Sequence, residues 1–245
     1  MKNQDGWQPS KYIQRKGKLI GSRDSSELGV ASRLIVDLVA RCYQDALKIH
    51  ASGKLLDLGC GKAPLYGVYR NYVSEIICVD WESGPHGNDY VDFACDLTKN
   101  LPFLDGEFNT IILSDVLEHI PEPELLWSEM VRILADDGVL IVNVPFCYWI
   151  HERPHDYYRY TEFALSRFVD RSGLRLVTLK SIGGSPEVLA DFLAKHFQFI
   201  PIVGRSLAML IQYMVGAIVK TRLGHSISKK TSEAYPLGFF LIARK

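Results

Sequence analysis

Short runs rich in Val, Ile and Leu alternate along the chain with longer stretches whose apolar residues return every three or four positions, the pattern of a doubly wound α/β sheet. Between Ser32 and Ile49, the residues Leu34, Ile35, Leu38, Val39, Cys42, Ala46, Leu47 and Ile49 fall mainly on one helical face, which predicts a helix covering the sheet before its first strand. Strands are predicted at Lys54–Leu58, at Ser74–Val79 with Asp80 at its end, weakly at Tyr90–Ala94, and at Phe108–Leu113, whose unbroken apolar character suits a central parallel strand. A short helix is expected to run to Tyr72 after the first strand, and another to start at Pro121 and stop at Asp136, Asp137 and Gly138. Val139–Val144 follows as a strand ended by Pro145, then a helix Thr161–Arg171 with Thr161 as N-cap, and strands Leu174–Leu179 and Leu237–Ala243. Some fifty residues of helical, basic and apolar character separate the last two strands. The reading is one domain over 1–245: a cap segment 1–50, a core 51–182, a helical insertion 183–233 and a last strand in 234–245.

The balanced total of 28 basic and 28 acidic residues conceals a segregation. Residues 75–137 hold fifteen acids against Lys99 and Arg132, whereas 192–245 hold eight bases against Glu233. The basic end is expected either to meet something anionic or to neutralise the acidic middle within the fold. Five widely spaced cysteines without a CxxC pair read as reduced, mostly buried thiols, and they suggest no metal site. The polar start MKNQDGWQPSKY lacks the apolar run of a signal peptide, so a cytoplasmic location is expected.

Candidate chemistry starts at LLDLGCGKAPLYG, where a strand enters a glycine-rich turn. Asp57, Gly59 and Gly61 stand where backbone N–H groups can approach a ligand closely. A dinucleotide fingerprint needs a third glycine where Pro64 stands, and no P-loop spacing is present. What remains is a turn that seats the amino-acid end of S-adenosyl-L-methionine (SAM).

In four ordered features the chain resembles the class I SAM-dependent methyltransferases. These are DLGCG at 57–61, with Ala63 where the family commonly has its third glycine; Asp80 in ICVDWE; Asp96 and Leu97 in ACDLTKNLPF; and SDVLEHI at 114–120. The resemblance covers roughly 50–182 and the last strand, and it implies a seven-stranded Rossmann-like sheet with SAM as cofactor. It implies further that Asp80, next to Trp81, accepts hydrogen bonds from both ribose hydroxyls, that Asp96 contacts the adenine amino group, and that Ser114 onward borders the methionine moiety. The implied reaction is O- or N-methylation of a small or sugar-linked molecule. A SAM-binding scaffold without transferase activity, or an NAD-dependent oxidoreductase or epimerase, are the alternatives.

The stretch PFCYWIHERPHDYYRYT holds the densest functional groups. HERPH fits the letters of H-E-x-x-H, but Pro154 opposes the intact helix that a zinc site of that kind needs. By position the stretch resembles the acceptor-side loop of the superfamily, and its PHDYYRYT string resembles that of bacterial methyltransferases of surface-sugar pathways. His119, His151 and His155 are the candidates for a general base, since an unperturbed imidazole takes up a proton near neutrality. Asp156, Tyr157, Tyr158 and Arg159 are candidates for binding a ring-shaped or anionic acceptor, the competing reading being that the tyrosines pack the loop and Arg159 pairs with Asp156. Methyl transfer requires no metal, and a nucleic-acid acceptor is disfavoured because the basic residues flank apolar runs.

Two further expectations concern the ends of the chain. Tyr12, Arg15, Lys16 and Lys18 are placed over the cofactor's carboxylate. Phe192–Ser232, with six Lys or Arg and no acid, is expected either to lie on an anionic membrane at its inner face or to cap the site or a dimer face. Its longest apolar stretch, Ser206–Val219, is 14 residues and too short for a transmembrane helix of ~20.

Overall fold

The computed structural model describes residues 1–82, 87 and 89–245. A hairpin of β1 (Tyr12–Arg15) and β2 (Lys18–Gly21) turns through Lys16 and Gly17, both at positive φ, and precedes α1 (Arg33–His50). The sheet then follows as β3 (Lys54–Leu58), α2 (Tyr66–Tyr69), β4 (Glu75–Asp80), β5 (Phe93–Ala94), β6 (Phe108–Ser114), α3 (Pro123–Ile133), β7 (Leu134–Pro145), α4 (Glu162–Arg171) and β8 (Arg175–Ile182). The insertion is α5 (Ser185–Phe197), α6 (Gly204–Ile218) and α7 (Arg222–Thr231), and β9 (Gly238–Arg244) closes the chain.

The seven strands lie in the order β5-β4-β3-β6-β7-β9-β8, parallel except for β9, which runs antiparallel to both neighbours. The expected doubly wound sheet with a helical insertion before its last strand is what forms. Its central strands bury both faces: in Phe108–Leu113, expected as an unbroken apolar run, Asn109 is exposed at the strand's start and the other five residues are buried. One face packs on α1 through Ile35, Val39, Tyr43 and Leu47, the other on α3 and α4 through Leu126, Met130, Leu165 and Val169. Ile49, assigned to the covering face of α1, instead points to solvent.

Several boundaries move. The helix expected to run to Tyr72 is only the single turn of α2, and the strand expected from Tyr90 is the two residues of β5. The helix placed from Pro121 begins at Pro123 and ends before Asp136–Gly138, because the chain is already extended at Leu134, where it pairs with Phe108. A register shift between Phe108 and Thr110 absorbs the Asp136–Gly138 turn within β7. The Thr161 cap forms as expected, its side chain accepting the Ala164 N–H.

The insertion inverts ordinary helical burial. Helix α6 buries Gly204, Ala208 and Gln212, a stripe four residues apart, while Leu210, Tyr213, Met214 and Ile218 face outward. The stripe is anchored by Gln212, whose Oε1 accepts the Leu34 N–H and whose Nε2 donates to the Ala31 carbonyl. No helix among the described residues is long and apolar enough to cross a membrane.

Candidate active site

The glycine turn after β3 is held from below. Gly59 and Cys60 N–H both donate to the Val79 carbonyl, and Gly61 N–H donates to Asp80 Oδ2 across the ends of β3 and β4. Gly59 and Gly61 have positive φ, and a Cβ at Gly59 would meet Val116 Cγ2 at 2.5 Å, so glycine is required there for the turn itself. Ala63, where the third glycine was missing, keeps a left-handed φ of 47°. The turn therefore has the glycine-type backbone despite its alanine.

Asp57 lies under this turn, with its Oδ2 accepting the Tyr69 hydroxyl at 3.0 Å. Burial pushes its carboxyl up to about 7, against the pull of the Tyr69 hydrogen bond. A carboxyl raised in the folded state stabilises fully below its unfolded value near 4, and that contribution is lost as pH rises through 7. Asp57→Asn, which can still accept from Tyr69, is expected to raise stability without cofactor by about 2–4 kcal/mol at pH 8 and to leave it unchanged near pH 4. Urea titrations at both pH values check this, and equal gains at both would exclude a charge origin.

Asp80 ends β4 with one carboxylate oxygen toward Gly61 and the other accepting the Trp81 N–H. Trp81 is half exposed, and its indole meets the His155 ring edge-on at 5.2 Å. The ribose-side and acceptor-side candidates are thus brought together. Asp96 turns back on its own loop, its Oδ1 accepting both the N–H and the hydroxyl of Thr98 and its Oδ2 meeting Lys99 at 3.0 Å. Those partners hold the Asp96 carboxyl below its usual range. Leu97 is core, and Ser114 ends β6 opposite Asn143.

The 151–160 segment forms no helix, so the His-Glu-x-x-His spacing places nothing on a common helical face. Asp156 and Arg159 form a two-pronged ion pair, and the guanidinium also donates to the carbonyls of Tyr158 and Trp149. These two residues, taken as acceptor ligands, spend their polar groups on holding the loop, and the guanidinium keeps the Asp156 carboxyl well below the usual range. Tyr157 and Tyr158 remain half exposed: Tyr157 places its hydroxyl 3.1 Å from His155 Nδ1, and Tyr158 donates to the Pro121 carbonyl. His119 and His151 come together with ring centroids 4.7 Å apart. Between them lies Glu118, whose side chain is fully buried and whose carboxyl is pushed well up by that burial and by Asp115.

The N-terminal residues placed over the cofactor's carboxylate do otherwise. Tyr12 is buried against Tyr43, and Arg15, Lys16 and Lys18 belong to the hairpin. The cation that reaches the site is Lys11, 2.7 Å from Asp115, and Asp115 itself is left-handed (φ 55°) and tied to Asn143. Trp7 covers the turn, donating to the Ala63 carbonyl and packing on Tyr66. Lys11, Asn143 and Glu118 escaped individual notice because their roles depend on partners 104, 28 and 33 positions away in sequence. Only the Glu-His pair at 118–119, directly after a central strand, could have signalled one of them. A cavity of about 200 Å3 lies against Gly61 and is bounded by Gln8, Pro9 and Ser10. A cavity of about 1160 Å3 between α1, β8 and the insertion is lined by none of the candidate cofactor or acceptor residues.

Comparison with known proteins gives a family for this fold. A methyltransferase-domain family model matches residues 30–179. Demethylmenaquinone methyltransferase of Paenarthrobacter aurescens is 26% identical over 107 residues, covering 42% of each chain. The chain spans about half the length of the curated relatives it matches. Among solved structures, a SAM-dependent methyltransferase from Archaeoglobus fulgidus superposes with a TM-score of 0.54 at 15% identity, over 83% of this chain and 93% of that one. The cyclase SpnF superposes with a TM-score of 0.53 at 17% identity, over 97% of this chain and 86% of that one. At such identities the two structures speak for the fold, while the family match covers most of the chain from α1 to β8: this protein belongs to the methyltransferase-domain family.

Proposed function

We propose that this chain transfers a methyl group from SAM to an oxygen or nitrogen of a small, sugar-linked acceptor. The observation that carries the reading is the convergence of Asp80, Trp81 and His155 at one end of the sheet, which joins a diol-binding carboxylate to the imidazoles of the acceptor loop. The donor set suits SAM. Asp80 has acceptor capacity beyond the two backbone N–H groups it already binds, and the turn backbone with Lys11 nearby suits an amino-acid end.

Bound SAM supplies an electrophilic methyl group on a sulfonium. The chain's task is alignment and exclusion of water. Asp80 would orient the ribose, Trp81 and Tyr157 would flank the acceptor, and His155, whose Nδ1 faces the Tyr157 hydroxyl, would take the proton of an acceptor hydroxyl. A scaffold that binds SAM without transfer is the second reading, favoured by one observation: a cyclase shares the fold over nearly the whole chain. Thermal melts with SAM, S-adenosylhomocysteine and NAD test the cofactor. Both sulfur ligands at ~100 times their dissociation constants should add about 2.7 kcal/mol to the folded state and NAD nothing, whereas stabilisation by NAD alone would end the methyltransferase reading.

We also propose that residues 192–232 dock on an anionic membrane, where a lipid-linked acceptor would be met. Ile202 is 100% exposed, Tyr213 77% and Phe199 72%. Among the described residues no ion pair joins Arg205, Lys220, Arg222, Lys229 or Lys230 to an acid, so neutralisation of the acidic middle by the insertion finds no support there. An apolar face beside uncompensated cations is what an anionic lipid surface attracts. The protein should float with phosphatidylglycerol vesicles and lose that association when Lys229 and Lys230 are both changed to Glu. Recovery of both proteins in the soluble fraction, with a dimer in sedimentation, would assign the face to self-association instead.

A further inference from the structure

Three buried polar atoms beside the acceptor loop have no hydrogen-bond partner: both carboxylate oxygens of Glu118 and Nε2 of His119. Buried polar atoms are matched in the great majority of cases, so three orphans at one place call for an occupant. His119 Nε2 lies 3.7 Å from Glu118 Oε1, and His151 Nε2 lies 3.8 Å from the same oxygen. Ligand atoms of the three residues all fall within 4.8 Å of one another. Metal–ligand bonds of ~2.1 Å in a tetrahedron would set neighbouring ligand atoms about 3.4 Å apart, a few tenths of an ångström below the two separations from Glu118, while the two imidazole nitrogens, within 4.8 Å of each other, would close by a side-chain rotation.

The outer partners fix which nitrogen faces inward. His119 Nδ1 lies 2.7 Å from the His155 carbonyl, which can only accept, so Nδ1 carries the proton and Nε2 the lone pair. His151 Nδ1 lies 3.2 Å from Asp156 Oδ2 and 3.3 Å from the Trp149 carbonyl, with the same consequence. Asp156 is in turn held by Arg159. Imidazoles oriented by a carbonyl and a carboxylate, with their free lone pairs converging on a buried carboxylate, are the arrangement that surrounds protein-bound metals.

We propose that Glu118, His119 and His151 bind a divalent transition-metal ion of the Zn2+ type, leaving a coordination position open toward the acceptor. Two nitrogens and one oxygen suit Zn2+, Co2+ or Mn2+ better than Mg2+ or Ca2+, which favour all-oxygen shells. The acceptor class follows: a hydroxyl-bearing molecule whose oxygen completes the shell. The binding stands on geometry alone, whereas this role rests on the methyltransferase reading. In that role the bound hydroxyl gives its proton to His155, the base proposed above, and from there to solvent. The oxygen's lone pair then forms the bond to the methyl carbon as the carbon–sulfur bond breaks, its electron pair passing to sulfur.

The test uses the full chain, stripped with chelator and titrated with Co2+. One equivalent per chain, with visible ligand-field bands displaced by Zn2+ and no competition from Mg2+, is expected. Glu118→Gln, which keeps the buried shape, and His151→Ala, at the edge of the cluster, should each weaken Co2+ at least ~10-fold. His225→Ala, on α7, should leave binding unchanged. Absence of stoichiometric Co2+, or undiminished binding in the folded His151→Ala protein, overturns the site. SAM calorimetry on the same samples separates the two claims: SAM affinity without metal removes the site alone, and metal without SAM affinity keeps the site while removing its role in methyl transfer.

Discussion

Asp80→Ala should weaken SAM by about 100-fold or more in calorimetry while the protein remains folded. Two hydrogen bonds from ribose hydroxyls to a carboxylate would be lost, each worth ~1.5–3 kcal/mol when the acceptor is charged. The same carboxylate accepts the N–H of Gly61, so its removal also loosens the glycine turn. Asp80→Asn separates the two effects. Its amide oxygen can still hold Gly61 but leaves one acceptor fewer for the ribose, and an intermediate loss of about 10-fold is expected. His155→Ala should behave differently, leaving SAM binding within ~3-fold and lowering turnover once an acceptor is known, because His155 touches Trp81 and Tyr157 but not the turn. Equal SAM affinity in wild type and Asp80→Ala would remove the ribose assignment.

Lys195→Met should cost about 3–5 kcal/mol of stability, the largest folding effect expected of any single change considered. Lys195 and Asp191 meet at 2.6 Å with side chains about 5% exposed, and Lys195 Nζ sits 3.3 Å from the Tyr148 ring centroid. Burial lowers the ammonium to about 8 and raises the carboxyl, and the pair persists because each offsets the other's desolvation. Removing the cation alone leaves Asp191 charged in an apolar site, with its Oδ1 already lacking a partner. Lys195→Met combined with Asp191→Leu should recover most of the loss, since an apolar pair of similar volume has no charge to desolvate. Urea unfolding with an unchanged slope is the measure. A single-variant loss below ~1 kcal/mol would mean that water reaches the pair.

The core of the fold was legible because its signals are local. Ile111–Leu113 carries the apolar run that suits a central strand, the α1 pattern needed a sheet to cover, and Thr161 and Gly173 mark the ends of α4 by their own backbone chemistry. The glycine turn was legible for the same reason: Gly59 and Gly61 adopt left-handed conformations within a few residues of the strand that orients them. Even Ala63, a departure in the letters, follows the turn, since the backbone geometry is set by its neighbours.

Misreadings arose where the deciding partner is remote. Leu134 reads as the last turn of a helix but is extended because Phe108 pairs with it. Tyr12 reads as a cofactor contact but is buried against Tyr43, while Lys11 beside it crosses 104 positions to Asp115. Helix α6 looks like buried core by composition, yet its small residues make the contact and its large ones face solvent. The spacing of HERPH marks one loop, whereas the buried carboxylate that faces His119 and His151 comes from the turn that follows β6. The order of the core strands and helices, the glycine turn and the acids at strand ends are legible in the sequence, because these follow from backbone preference and periodicity, whereas the β1–β2 hairpin inside the segment read as a cap is not. Which side chains face one another was decided only by tertiary structure, because burial and charge pairing depend on elements brought together from distant parts of the chain.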